Sequence, residues 1–151
     1  AALSAPPLPA RFSDPRLVNG PQVLPHLEAV KVIDAPGVGH GQKFWRVISL
    51  KFEDITESNN DHTIYVKILD ENGKRTEANI KWWGEGTGDQ PPQEQKKADD
   101  ICDCNYGLFM FGDGYGVKID DKYASDQAVG MIMPMRRHVN YKIIYQLTTN
   151  P

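Results

Sequence analysis

The chain has 151 residues, 40% of them hydrophobic and 25% charged, with a net charge of −3. That size and balance describe one globular domain with enough apolar material for its own core, and the mildly acidic charge gives no electrostatic footprint for nucleic acid. No apolar run approaches the roughly 20 residues that span a bilayer, so membrane insertion is not expected; no secretory leader pattern stands ahead of the domain, and the sequence leaves open whether a leader was removed before Ala1.

Residues 1–26 carry Pro6, Pro7, Pro9, Pro15, Pro21 and Pro25. Proline fixes φ and removes a backbone donor, so this stretch is expected to be an extended arm, neither helix nor central strand. Two readings stay open: a flexible linker, or an arm that becomes ordered against a neighbouring subunit, which its apolar residues, among them Phe12, Leu17, Val18 and Leu24, favour because a pure spacer does not need them. Residues 27–151 form the second unit, where the pattern turns to β. Leu27 to Ile33 reads as a short strand closed by Asp34, Pro36, Gly37 and Gly39. Phe44 to Phe52 is a strong strand. A strict alternation there puts Phe44, Ile48, Leu50 and Phe52 on one face and Trp45, Val47, Ser49 and Lys51 on the other. Asp54 to Asp61 is a polar loop, and His62 to Leu69 alternates with Ile64, Val66 and Ile68 inward.

Asp70-Glu71-Asn72-Gly73 reads as a hairpin turn, since Asn-Gly supplies positive φ. Glu77 to Trp83 follows with Ala78, Ile80 and Trp82 inward, which leaves Trp83 outward. Gly84 to Asp100 is a long polar surface loop. Tyr106 to Phe111, Tyr115 to Ile119, Ala128 to Met133 and Tyr141 to Leu147 complete seven to eight strands. With turn signals at short intervals and no sustained 3.6-residue period, the fold class is all-β: an antiparallel β-sandwich of immunoglobulin-like or jelly-roll type.

Chemistry is sparse. Cys102 and Cys104 lack the further ligands a zinc site needs; a small strained disulfide ring, a bond to another chain and reduced thiols all stay open. Asp99, Asp100, Asp103, Asp113, Asp120, Asp121 and Asp126 crowd the second half. They read as solvated loop carboxylates, with a Ca²⁺ site as the less favoured alternative because no EF-hand spacing is present. His26, His40, His62 and His138 stand in no ligand spacing, and neither a nucleophile elbow nor a P-loop occurs. No cofactor, metal or catalytic residue is therefore expected. The binding candidates are aromatic and basic. Trp83, Trp45 and Tyr65 can face outward, either to cover loops and the proline-rich arm or to stack on a sugar or anchor an interface, and Arg136 and Arg137 form a small basic cluster before the last strand, either a solvated loop or a contact for an acidic partner surface.

From Phe44 to Thr148 the motifs run in a definite order: Phe44-Trp45-Arg46, His62-Thr63-Ile64-Tyr65-Val66, Leu69-Asp70-Glu71-Asn72-Gly73 and Trp82-Trp83-Gly84, then Cys104-Asn105-Tyr106, Gly114-Tyr115-Gly116-Val117 and Ser125-Asp126 before Val129-Gly130. This order resembles a non-catalytic β-sandwich accessory domain appended to extracellular glycoside and cell-wall hydrolases of Chloroflexi-like bacteria. The resemblance implies a module without catalytic residues, located outside the cell or on a particle surface. No hydrolase accompanies the domain here, which shifts the expectation towards assembly. The expected function is a non-enzymatic structural module that decorates or cements a virion capsid or extracellular filament, in contact with protein subunits or with further copies of itself. The alternative is a carbohydrate-binding module for extracellular polysaccharide.

Overall fold

The structure, a computed structural model, describes residues 7–18, 30–84, 88–89, 104–107, 114–132 and 138–151. Among these the chain is nearly all β, with eleven strands and one short helix. In chain order they are β1 (Phe12–Ser13), α1 (Pro15–Val18), β2 (Lys31–Ile33), β3 (Lys43–Glu53), β4 (Thr63–Leu69), β5 (Ile80–Gly84), β6 (Gly88–Asp89), β7 (Cys104–Gly107), β8 (Tyr115–Ile119), β9 (Ala124–Ser125), β10 (Gln127–Met131) and β11 (Asn140–Thr149). Sheet I runs in the order β1-β3-β11-β4-β7, with β9 also on β3; sheet II runs β2-β10-β8-β5-β6. The polar stretch Gly84 to Asp100 contributes β6, which returns along β5; residues 85–87 and 90–100 lie outside the described residues.

The expectation of purely antiparallel pairing is corrected in sheet I. Strand β11 is antiparallel to β3 but parallel to β4, and β1 and β9 both pair with β3 in parallel. The parallel pairing arises because the chain leaves sheet I after β4, builds sheet II, and comes back to insert β11 between β3 and β4. The Asp70–Gly73 turn forms as its residues dictate: Gly73 sits at φ +79° and Asp70 Oδ1 accepts from the backbone N–H groups of Asn72 and Lys74. It does not join two strands of one sheet, however. After a single bridge between Leu69 and Arg75 the chain crosses to sheet II.

Inward side chains of both sheets make one buried cluster. Val47, Phe52, Val66, Ile68, Tyr141 and Tyr145 from sheet I meet Ile80, Val117, Ala128 and Met131 from sheet II. In β4 and β11 the inward positions are those the alternation predicts. In β3 they are not. Trp45 and Val47 are buried before the middle of the strand, and Leu50 and Phe52 after it. The register against β11 skips Ile48 between Ser49↔Ile144 and Val47↔Tyr145, a β-bulge. One extra residue moves every later side chain to the opposite face, so the strict alternation expected of this strand is replaced by two half-strands of opposite phase.

Two buried tyrosines cross the core. The Tyr141 hydroxyl donates to Ile132 O at 2.6 Å, and that of Tyr145 to Val117 O at 3.1 Å and Asp126 O at 3.0 Å. Tyr145 belongs to sheet I and Val117 to sheet II, so this hydroxyl ties the sheets together. Burial raises both phenols well above their ordinary value.

The N-terminal prolines do not prevent a helix. Pro15 opens one turn, α1, at the first helical position, where the missing N–H costs nothing. Leu17 is buried in the chain's own core, and Phe12 is half-exposed on edge strand β1. Val18 ends α1, and Leu24 lies outside the described residues.

Candidate functional site

One edge of β3 and one face of sheet I hold most of the polar structure. The edge is closed by two Asp–Arg pairs that imitate a neighbouring strand. At Val47, the N–H donates to Asp126 Oδ2 at 3.0 Å and the carbonyl accepts from Arg11 Nε at 2.8 Å, while Arg11 and Asp126 pair at 2.8 Å. At Phe52 the same arrangement recurs. The N–H donates to Asp14 Oδ2 at 3.1 Å, the carbonyl accepts from Arg16, and Arg16 grips both oxygens of Asp14 at 3.0 and 2.9 Å. Between the two pairs, β1 supplies backbone partners beside Ser49 and Leu50. Exposed strand edges recruit other chains; this one is satisfied by residues 11–16 and Asp126.

Asp126 is fully buried, which corrects the reading of this residue as a solvated loop carboxylate. Its Oδ1 accepts from Ala35 N at 2.8 Å, just beyond β2, so one carboxylate joins the N-terminal segment, sheet I and the edge of sheet II. The sequence signal available for it was its place in Ser125-Asp126; Arg11, Asp14 and Arg16 carried none.

Burial raises the Asp14 carboxyl, but hydrogen bonds from the Arg16 side chain and from the Phe52 and Arg16 N–H groups outweigh it and hold its pKa below the ordinary 3.8. Asp61 is lowered in the same way: burial opposes, and the hydroxyls of Tyr65 and Thr63 and the His62 N–H prevail. Carboxyls with lowered folded values stabilise the fold fully above their unfolded pKa and lose that contribution as the pH falls through the folded value. The midpoint of denaturant unfolding is therefore expected to be level from neutrality to about pH 5 and to fall below about pH 4. In Asp14→Asn part of that fall should be missing. An acid limb of unchanged steepness in the variant would show that Asp14 is not one of its sources.

The outer face of sheet I carries a shallow depression of about 260 Å³ lined by Ser49, Lys51, Tyr65, Lys67, Lys142 and Ile144, with Ile143 beneath. Strand register sets its layout. Lys51, Lys142 and Tyr65 form one row across β3, β11 and β4, and Ser49, Ile144 and Lys67 form the next. Two carboxylates anchor one end. Asp61 accepts the Tyr65 hydroxyl, and Glu53 Oε1 lies 3.3 Å from Lys142 Nζ. Lys142 Nζ also sits 5.8 Å from the Tyr65 ring centroid.

Of the sequence-proposed residues that the structure describes, only Tyr65 lines this face. Trp45 is a correction: it is 3% exposed, its indole N–H donates to the Asp121 carboxylate at 3.0 Å, and its ring packs edge-on against Tyr123. The bulge in β3 turns it inward. Trp83 is on the face of sheet II opposite Trp82, as alternation predicts, and is partly covered there. It pairs with Gly116, and a Cβ on Gly116 would stand 2.3 Å from the Trp83 ring. The indole thus lies on a glycine of the next strand. Gly116→Ala is expected to displace it, costing about 1–3 kcal/mol and shifting tryptophan emission to the red; unchanged emission would contradict this packing. Arg136 and Arg137 lie outside the described residues, as do Cys102 and the carboxylates Asp99, Asp100, Asp103 and Asp113.

Among the described residues no three His, Cys, Asp or Glu side chains are grouped to hold a metal ion. The His62 and His138 rings lie 4.8 Å apart, with His138 Nδ1 2.7 Å from Asn60 Oδ1. Comparison with known families, with characterised proteins and with solved structures returns no match.

Proposed function

We propose that this chain is a non-enzymatic β-sandwich interaction module that attaches to a large assembly, a virion capsid or an extracellular filament, through the outer face of sheet I. One observation carries this reading: the chain's open charged face. Lys51, Lys67, Lys142 and Tyr65 stand together on neighbouring strands around a shallow depression, a shape suited to an extended surface rather than an enclosed small molecule. Among the described residues, several polar side chains are committed to the fold: Asp14 and Asp126 to the β3 edge, Ser125 to Ile119 N, and Ser58 to His138 O. A carbohydrate-binding module is the second reading, favoured by an aromatic ring set beside cations and a hydroxyl on that face.

The test is sedimentation of the source particles or cell-surface material with added protein. The wild-type chain is expected in the pellet, and the charge-reversed Lys51→Glu/Lys67→Glu variant, folded by circular dichroism, in the supernatant. A wild-type chain that stays monomeric and pellets with nothing would overturn the proposal.

A further inference from the structure

The lysines of this face are arranged at a cost to the free protein. Lys51 and Lys142 are direct cross-strand partners, and Cβ atoms so placed are about 5 Å apart. Lys67 is diagonal to Lys142 through the Lys142↔Tyr65 and Ile144↔Lys67 pairs, about 7–8 Å away. Like charges opposite one another destabilise a sheet. Glu53 offsets Lys142; among the described residues no carboxylate pairs with Lys51 or Lys67. An anion from outside would relieve this repulsion.

The chemistry of the face narrows the anion. It presents lysines and no arginine. Lysine is a mobile point charge that meets single carboxylates in varied poses, whereas flat bidentate recognition of phosphate or sulfate favours arginine. Beside Lys142, at the β4 end of the row, stands the Tyr65 ring, its hydroxyl held by Asp61; an aromatic surface beside cations suits a ligand with both apolar C–H faces and carboxylates. Nucleic acid would want a series of stacking rings, and the face has one.

We infer that the outer face of sheet I, at Lys51, Lys67, Lys142, Tyr65 and Ser49, binds a carboxylated polysaccharide across strands β3, β11 and β4. This rests on the proposal that the face is the attachment surface; it takes up the second reading of that surface and names the class of polysaccharide.

The full chain is titrated with polygalacturonate, with its methyl ester, with polyglutamate and with single-stranded DNA, at low and high salt. Binding to polygalacturonate that weakens with salt, is absent for the methyl ester and exceeds that for polyglutamate and DNA is expected. Lys51→Gln/Lys67→Gln should weaken it about tenfold, with a melting temperature equal to or above that of wild type because repulsion is relieved. Equal binding of the ester would overturn recognition by charge. Equal or tighter binding of polyglutamate or DNA would overturn the polysaccharide. If no polymer binds but the lysine variants still lose attachment to source material, this inference falls and the attachment surface stands; if they keep attachment as well, both fall.

Discussion

Replacing Asp126 by Ala is expected to cost about 3–5 kcal/mol, the range for removing one partner of a buried ion pair. Three donors converge on this carboxylate: Arg11, Val47 N–H and Ala35 N–H, at 2.8, 3.0 and 2.8 Å. Alanine leaves the Val47 and Ala35 N–H groups without their acceptor and Arg11 with only Val47 O and Asp34, and the Val47 donor is fully buried. Since small domains are stable by only about 5–15 kcal/mol, the variant should unfold at a much lower denaturant concentration. Asp126→Asn keeps the shape and one acceptor but turns an NH₂ towards a donor, so it should fall between alanine and wild type. Arg11→Ala removes the same pair from its more exposed side, and the double variant should cost less than the sum of the singles, as expected of groups in direct contact. Equilibrium urea unfolding of the four proteins measures this. A loss below about 1 kcal/mol for Asp126→Ala would mean that the junction does not depend on this carboxylate.

The second large effect is positional. Deleting residues 1–8 should leave stability nearly unchanged, because among the described residues the first hydrogen bond to sheet I is that of Pro9 O, which accepts from Arg46 at 3.1 Å. Deleting residues 1–18 removes Arg11, the β1 pairing, the Asp14–Arg16 clamp on Phe52 and buried Leu17 together. Hydrogen bonds to charged groups contribute about 1.5–3 kcal/mol each and burial of a leucine about 1.5–3 kcal/mol, so the sum is on the order of 5 kcal/mol or more. It also opens the edge of β3, and an open edge invites strand-to-strand association. The longer deletion should therefore be both less stable and prone to aggregate, by thermal unfolding and light scattering. Comparable melting of the two truncated chains would refute the edge-closing role. For attachment, the consequence is practical: only the deletion of residues 1–8 separates a role of the extreme N-terminus in binding from its neighbour's role in folding.

The face of sheet I and the edge of β3 divide the polar residues between two tasks. Paired charges with their partners on the same chain, such as Asp14 with Arg16 and Asp126 with Arg11, are sunk into the edge and stabilise the fold. Lys51 and Lys67 remain directed outward on strands β3 and β4, whose register through β11 sets their spacing. In the proposed attachment, a face built on strands would keep that spacing without loop ordering on binding, which lowers the entropic cost of association.

By itself the sequence determined the all-β class, because short alternating runs between turn residues carry a period of two that survives whatever they pack against. It determined the inward positions of β4, β5, β8 and β11 for the same reason, and the turn at Asp70–Gly73, whose Asx hydrogen bonds and positive φ are local. Only the tertiary structure decided the rest. A bulge at Ile48 depends on the partner strand, so the inward turn of Trp45 was invisible to alternation along β3 alone. The insertion of β11 between β3 and β4 joins residues far apart in sequence and makes sheet I mixed. The docking of residues 11–16 on the chain's own sheet was not legible, since their clamps on Val47 and Phe52 are side chains standing in for a strand, a substitution with no periodic signature. The lysine face arises likewise from register: Lys51, Lys67 and Lys142 are unremarkable in three separate strands and become one site only when those strands lie side by side.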